Sequence, residues 1–500
     1  MWAPEAGWFS AEQLRKDLGG RTVRGGAFFA ASRTVRGLID VLATLVLARL
    51  LTPADYGLVG LAAAVTGFVT LFKDLGLSTA TIQREDLRHA EVSKLFWINV
   101  GLGLLLSAIT AASAPLLGAF FEEPRLVPIV FALSIGFAFG GASVQHAALL
   151  ERNLLQGRLA WVEFGSVAGS SLAAVGSAWA GMGPWALVIQ SVGLAGLRMV
   201  LLWGACGWRP SPPWVRASVS EHLAMGGHLT GFSIVNYLAR NLDDVLVGRF
   251  VGTEALGLYQ QAYRLLMIPL RQLNTPIGSV AKPALSRLVG EPERYRRAYL
   301  RILDKILLLT MPLGAFLLVH AGSVLSVVLG EQWRPAENVF RWLGLLMFSQ
   351  PIGNSTGWLF ISQGRTGTML RWGVVGSGLA IVSFVVGLPW GAEGVALAYA
   401  SSGVGLRLPL LLWWVGRTGP VRARDILRAV LPHVIGGLLG LLLVWRAELA
   451  LPDTPVVLRL LVGLTVATVT QVAVVASTRS GREALADWAS FRRAFGGTAS

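Results

Sequence analysis

The sequence predicts an all-α polytopic membrane protein of about 14 transmembrane helices, arranged as two parallel six-helix lobes plus a C-terminal pair. Three observations carry that prediction. Of 500 residues, 54% are hydrophobic and only 14% charged, against about 25% charged in a globular domain. Apolar runs of about 20 residues, the length that crosses a bilayer, recur along the whole chain. Basic residues fall in every second connection between those runs, the charge bias of membrane topology. A soluble globular protein is excluded, because too few polar residues remain to cover its surface. A disordered chain and a disulfide scaffold are excluded as well, the second because Cys206 is the single cysteine.

Segment 1–26 carries Arg15, Lys16, Arg21 and Arg24 and no apolar core with a small-residue cleavage site, so it does not read as a cleaved signal peptide. Trp8, Phe9, Leu14 and Leu18 there admit two readings, a short amphipathic helix on the membrane surface or a frayed tail. Six spans are expected near 27–50, 57–81, 95–119, 126–148, 161–180 and 184–205, forming an N-terminal lobe over 27–205. A cytoplasmic linker, 206–222, leads to a second lobe over 223–416, with spans near 223–251, 257–281, 302–329, 339–363, 371–390 and 393–416. An extra pair within 417–476, near 427–446 and 456–476, precedes a tail over 477–500. Pro269 and Pro312 are expected to kink their spans.

Orientation follows from the connections. Arg84, Arg88 and Lys94, then Arg152 and Arg158, then Arg209 and Arg216 fall on one side, as do Lys282 to Arg301, Arg365 and Arg371, and Arg417 to Arg428. The opposite side holds little beyond Arg125, Arg334, Arg446 and Arg459. The alternation places both termini in the cytoplasm. All connections are short, and the longest, near 282–301, reads as a basic solvated loop. A net charge of +15 spread over such connections argues against nucleic-acid binding, which wants a soluble basic face.

An internal repeat at an offset of about 200 residues supports the two lobes. Leu47-Ala48-Arg49-Leu50-Leu51-Thr52 matches Val247-Gly248-Arg249-Phe250-Val251-Gly252, and Gly57-Leu58 matches Gly257-Leu258. Gly25-Gly26 matches Gly226-Gly227. Both copies run in the same direction across the membrane, so the halves are parallel and a substrate cavity is expected between them.

Charges inside the spans point to function. Arg33, Arg36, Arg49, Lys73, Arg240, Arg249, Arg264, Arg271 and Lys305 all fall there. Each costs about 2.5–3.5 kcal/mol at a helix centre. Arg49 and Arg249, near span ends, can snorkel; the others should face a wet interior. Arg33, Arg36 and Asp40 share one helical face, as do Asn236, Arg240, Asp243 and Asp244 on the repeat-equivalent helix. Gln260, Arg264, Arg271 and Asn274 line one stripe of the eighth span, and Lys73 and Asp74 sit together in the second. Ion pairing of Arg36 with Asp40, or of Arg240 with Asp243 or Asp244, is one reading of those residues. It does not reach Arg264 and Arg271, whose span carries no carboxylate. A surplus of fixed positive charge calls for an anionic substrate, and arginine suits phosphate bidentately.

Other motifs carry less. Gly353-Asn354-Ser355-Thr356-Gly357 fits the nucleophile-elbow pattern but lies in an expected membrane helix, not between a strand and a helix. The six histidines have no metal-ligand spacing, and no phosphate-binding loop is present. No catalytic residue, metal site or cofactor is therefore assigned. Trp8, Trp97, Trp208, Trp214, Trp333 and Trp390 sit near span ends and read as an interfacial belt. The glycine pairs 136/140 and 165/169 have the spacing of close helix contacts.

Several segments resemble a known family. The run Leu50-Leu51-Thr52-Pro53-Ala54-Asp55-Tyr56-Gly57-Leu58, followed by Asp74-Leu75-Gly76-Leu77-Ser78, is similar to polysaccharide exporters of the Wzx and MviN kind. So are Asn241 to Arg249 with Gly257-Leu258-Tyr259, Gly183-Pro184-Trp185-Ala186-Leu187-Val188, and Gly357-Trp358-Leu359-Phe360. The resemblance covers about residues 25–420, weakens over the last two spans, and is nearest to the colanic-acid exporter (WzxC-like) branch. It implies the multidrug/oligosaccharidyl-lipid/polysaccharide exporter fold. It also implies a bacterial inner-membrane flippase, not an enzyme, that moves a polyprenyl-diphosphate-linked oligosaccharide by alternating access. Glycan assembly enzymes are then its expected neighbours. In such proteins a cationic cavity takes the sugar–diphosphate head, a role the resemblance carries to Arg33, Arg36, Arg264 and Arg271. Asn236, Gln260 and Asn274 would meet sugar hydroxyls, and Asp40, Asp243 and Asp244 would hold the arginines or carry a coupling proton. Two alternatives stand beside it: a cation-coupled multidrug antiporter of the same superfamily, and a membrane glycan polymerase or ligase.

Overall fold

The computed structural model describes residues 8, 35–70, 72, 77–84, 87–213, 237, 241–478 and 481–482. Among them every regular element is a helix, and eight stretches are long and apolar enough to cross a membrane. The protein is a multi-pass membrane protein. The chain packs as two compact units, Met1–Gly257 and Leu258–Ser500. The helix at 241–250 belongs to the first unit.

In the first unit α1 covers 35–50, α2 Pro53–Thr70, α3 Leu77–Gln83 and α4 His89–Phe120. Then come α5 (Leu126–Arg152), α6 (Gln156–Trp179), α7 (Trp185–Ala205) and α8 (241–250). The sequence explains the turn between α1 and α2. Thr52 N–H donates to Asp55 Oδ2 at 2.9 Å, and Asp55 N–H returns a bond to Thr52 Oγ1 at 3.3 Å. That is a reciprocal N-cap, with Pro53 at the first helical position where its missing N–H costs nothing. At the other end of the unit, the buried Arg152 guanidinium donates to the carbonyls of Thr81, at 3.0 Å, and of Arg84. A cation on the last carbonyls of α3 satisfies acceptors the helix leaves open.

Close helix contacts use glycines the sequence spacing did not select. A Cβ at Gly103 would lie 2.6 Å from the Phe137 carbonyl oxygen, and one at Gly141 would lie 2.3 Å from that of Asn99. The backbones of α4 and α5 therefore touch, as small residues allow in membrane helices. Gly165 and Gly169 instead receive the side chains of Leu201 and Leu197, at 3.1 and 2.9 Å from an added Cβ. The repeat-equivalent glycines meet each other. A Cβ at Gly57 would fall 1.6 Å from the Thr253 carbonyl oxygen, and one at Gly257 would fall 1.8 Å from that of Pro53.

Beside these contacts, Thr81 Oγ1 donates to Gln145 Oε1 at 2.8 Å and Gln145 Nε2 to Asn99 Oδ1 at 2.9 Å, all fully buried. This polar ladder ties α3, α4 and α5 in a medium where an unpaired group is costly. Near it a cluster of Trp8, Phe96, Leu149, Leu202, Cys206 and Trp208 closes the core. Trp8, Trp208 and Trp333 are thus buried in protein and not in an interfacial belt, whereas Trp390 is 72% exposed. Trp214 lies outside the described residues, as do Phe9, Leu14 and Leu18.

The helix α9 (Thr253–Arg287) links the units. In the second unit follow α10 (Pro292–Val319), α11 (Ala321–Val328), α12 (Glu337–Gly344), α13 (Leu346–Ser362) and α14 (Thr366–Gly387). Then come α15 (Gly391–Ser402), a π-turn at Gly403–Arg407, α16 (Leu408–Gly416), α17 (Ala423–Ala450) and α18 (Val456–Ser477). The helix runs on through Pro269 in α9 and Pro312 in α10. The basic stretch 282–301 is helical except at 288–291. Its charges ride on helix ends and pair locally, Arg294 with Glu291 and Arg296 with Glu293 at 2.7 Å each. Hydropathy marks where apolar character ends; Arg, Lys, Ala and Leu let the helix continue. The span expected at 339–363 is two helices, α12 and α13, parted at Leu345. Buried Tyr295 and Tyr299 bond Ser362 Oγ at 2.6 Å and Ser355 Oγ at 2.9 Å, fastening α10 to α13. Ser355 is a packing residue, in keeping with its place inside a helix.

Candidate functional site

The expected site residues divide between the two units. In the first, Arg36 stands on α1, half-buried, and its Nη1 donates to Glu163 Oε2 of α6 at 2.6 Å. Arg198 Nε of α7 donates to the other oxygen, Glu163 Oε1, at 2.8 Å. Asp40 Oδ2 lies 3.9 Å from Arg36 Nε. The pairing expected within α1 is therefore secondary to a bond between helices. Both oxygens of Glu163 are taken by guanidinium groups, yet each guanidinium has five N–H donors and keeps several. The side chains of Arg36 and Arg198 remain 41% and 35% exposed. The cluster can accept an anion without breaking its own bonds.

On α8, Asp243 is buried and Asp244 half-buried. Tyr237 just before them donates from its hydroxyl to the Ala64 carbonyl at 2.9 Å, which ties this segment to α2. Arg33, Lys73, Asp74, Asn236 and Arg240 lie outside the described residues. Arg249 behaves as a span-end cation. It pairs with Glu122 at 2.8 Å and lies 5.8 Å from the ring centroids of Phe120 and Phe250.

In the second unit, α9 carries Gln260, Arg264, Arg271 and Asn274. Arg264 and Arg271 are exposed, whereas Gln260 and Asn274 are half-buried. The arginines stand seven residues, about two turns, apart on one helix face. This helix does carry one carboxylate, Glu254 in its first turn, before the span expected at 257–281. It stands nearly three turns from Arg264, too far to be a neighbour on the same face.

Charged and polar groups that the sequence reading passed over also lie inside apolar helices. Arg407, in the π-turn, donates to the Tyr399 carbonyl at 2.6 Å and stacks 4.1 Å from that ring's centroid. Asp304 of α10, His433 of α17 and Gln471 of α18 form a buried chain. The signal for Glu163, Arg198 and Asp304 was the one used for Arg36, an ionisable residue inside an apolar run. Among the described residues no group of three or more His, Cys, Asp or Glu side chains could hold a metal.

Comparison with known proteins narrows what this arrangement serves. A family described as "Polysaccharide biosynthesis protein" matches residues 46–338. The chain is 27% identical over 384 residues to the lipopolysaccharide biosynthesis protein WzxC of Escherichia coli (strain K12), covering 76% of this chain and 78% of that protein. It is 27% identical over 310 residues to the teichuronic acid biosynthesis protein TuaB of Bacillus subtilis (strain 168), covering 61% of this chain and 64% of TuaB. The structure of the lipid II flippase MurJ, in an inward closed conformation, superposes with a TM-score of 0.67 at 14% identity, over 88% of this chain and 97% of MurJ. At that identity the likeness concerns the fold alone.

Proposed function

From its place in the polysaccharide biosynthesis protein family, to which this chain belongs, we infer that it is a flippase for a polyprenyl-diphosphate-linked oligosaccharide. The observation that carries the reading is the pair of exposed arginines, Arg264 and Arg271, two turns apart on α9 of a chain related to WzxC and TuaB. Guanidinium groups are costly against lipid, and phosphate accepts them bidentately.

The head group enters from the cytoplasm and its phosphates meet Arg264 and Arg271, with Arg33 and Arg36 as the matching cations of the first repeat. Gln260, Asn274 and Asn236 bond sugar hydroxyls. Asp40, Asp243 and Asp244, with Lys73 and Asp74, set the field around the cations. Alternating access of the two halves then delivers the head group outside, while the polyprenyl tail stays in lipid. The protein sits in the bacterial inner membrane with both termini cytoplasmic, beside the enzymes that build and polymerise the glycan.

The test is a lipid extraction from cells lacking the gene. Complete lipid-linked oligosaccharides should accumulate while surface polysaccharide is lost. Complementation with R264A should restore protein level and leave export at least about tenfold down, the loss of one charge-assisted bidentate contact being worth 1.4 kcal/mol or more. Undisturbed lipid-linked pools with new drug sensitivity would replace this reading by the multidrug antiporter.

A further inference from the structure

We propose that Asp304, His433 and Gln471 form a proton-binding site inside the second unit, which holds one proton as an imidazolium between a carboxylate and an amide. His433 Nε2 lies 3.3 Å from Asp304 Oδ1, and Gln471 Nε2 lies 3.0 Å from His433 Nδ1. His433 and Gln471 are essentially buried, whereas the Asp304 side chain keeps 13% exposure. The three groups come from three helices, α10, α17 and α18, so their hydrogen bonds join the C-terminal pair to the rest of the unit.

The contacts are compatible with two protonation states of the ring. With the Gln471 amide donating to Nδ1, the single ring proton sits on Nε2 and faces Asp304, so the resting site is neutral imidazole beside carboxylate. Gln471 Oε1 then has no partner among the described residues. It points at Gly436, where an added Cβ would lie 2.5 Å away. Turning the amide by half a turn exchanges its oxygen and nitrogen. The oxygen then accepts from Nδ1, and the ring can take a second proton. The site goes from one net negative charge to none, and no other bond changes. Asp304, the member with residual exposure, is the door through which the proton passes.

No other charge needs to move for this. The titratable and charged neighbours on the same helices are Arg301 and Lys305 flanking Asp304, and Arg424, Asp425 and Arg428 towards the start of α17. Arg446 and Glu448 lie near its end, and Arg459 is the one charged residue of α18. Helix α13, packed on α10, carries none. His320 and Glu448, 3.4 Å apart, with Arg459 2.7 Å from Glu448, make a separate group near the ends of α10 and α17. An ionisable chain inside a membrane bundle is costly to keep and marks proton pathways. A purely structural contact at these positions is served as well by apolar side chains.

The proposal goes beyond the flippase reading, and its first test does not depend on that reading. The full chain is reconstituted in lipid nanodiscs with 15N-labelled histidine. The signal absent from H433Q should pass from neutral imidazole to imidazolium as the pH falls from about 8 to 5. In D304N the response of that signal to pH should differ from wild type. If H433Q does not fold, Q471L identifies the same signal by displacing it. A His433 that stays neutral throughout, or that titrates identically in D304N, overturns the proposal. In cells, H433Q keeps a hydrogen-bonding amide but cannot bind the proton. Export below a tenth of wild type, at unchanged protein level and with lipid-linked units accumulating, supports the site. Full export by H433Q refutes it and leaves the flippase reading standing. Absence of accumulation in the gene deletion refutes the flippase reading and leaves the nuclear magnetic resonance result to decide the proton site.

Discussion

The two units solve the problem of intramembrane charge in opposite ways. In the first, Arg36, Glu163 and Arg198 form a chain from three helices, two guanidinium groups on one carboxylate. In the second, Asp304, His433 and Gln471 also join three helices, but the central group is a histidine between a carboxylate and an amide. One cluster offers a constant field to an anion. The other offers a place where protonation can alter how helices hold one another.

The comparison can be broken at its strongest point. Glu163→Ala leaves two guanidinium groups facing each other. Removing one partner of a buried pair costs about 3–5 kcal/mol; with the Glu163 side chain 18% exposed the cost falls to about 2–3 kcal/mol. Thermal unfolding in detergent should show it, and a stability equal to wild type would mean the cluster does not hold the helices. Arg36→Lys keeps the charge and loses the planar fork, so a smaller loss of about 1 kcal/mol is expected. The same melting experiment, repeated on H433Q and wild type at about pH 8 and 5, sharpens the contrast. The difference between H433Q and wild type should depend on pH, and a difference equal at both pH values would mean that His433 holds no proton there. The smallest effect concerns Cys206. It is fully buried just past α7, and burial pushes its thiol up to about 11. A thiol raised so far stays protonated, so maleimide at neutral pH should leave the native protein unlabelled and react only after denaturation. Rapid native labelling would mean the core around Trp208 opens readily.

Much of the fold was legible. The helices over 126–152, 185–205 and 456–477 match expected spans closely at one or both ends, because each is an apolar run closed by a loop signal. Boundaries failed where helix and membrane part company. Helix α9 reaches Arg287 and α10 starts at Pro292, since charged helix formers continue a helix that lipid no longer needs. The α9 helix is also not among the eight apolar stretches, because the arginines that suggest its function lower its hydropathy. The total of fourteen spans is not tested by the described residues. Of the site, Arg36 was found by its position in an apolar run, but its partner was sought on the same helix. Glu163 lies 127 residues away, and no local spacing rule reaches it. His433 was read among scattered histidines, because metal spacing was the pattern sought and a proton chain has no sequence spacing.

The reciprocal contact of Gly57 and Gly257 has a consequence for how this chain tolerates change. Each glycine faces the carbonyl that opens the other's helix, 1.6 and 1.8 Å from where a Cβ would stand. The two positions, 200 residues apart, therefore behave as one genetic locus. Alanine at either forces the same pair of backbones apart, so once the first substitution has been made the second has little left to break. The double variant should be far less damaging than the sum of the singles, an epistasis between duplicated positions that are also physical neighbours.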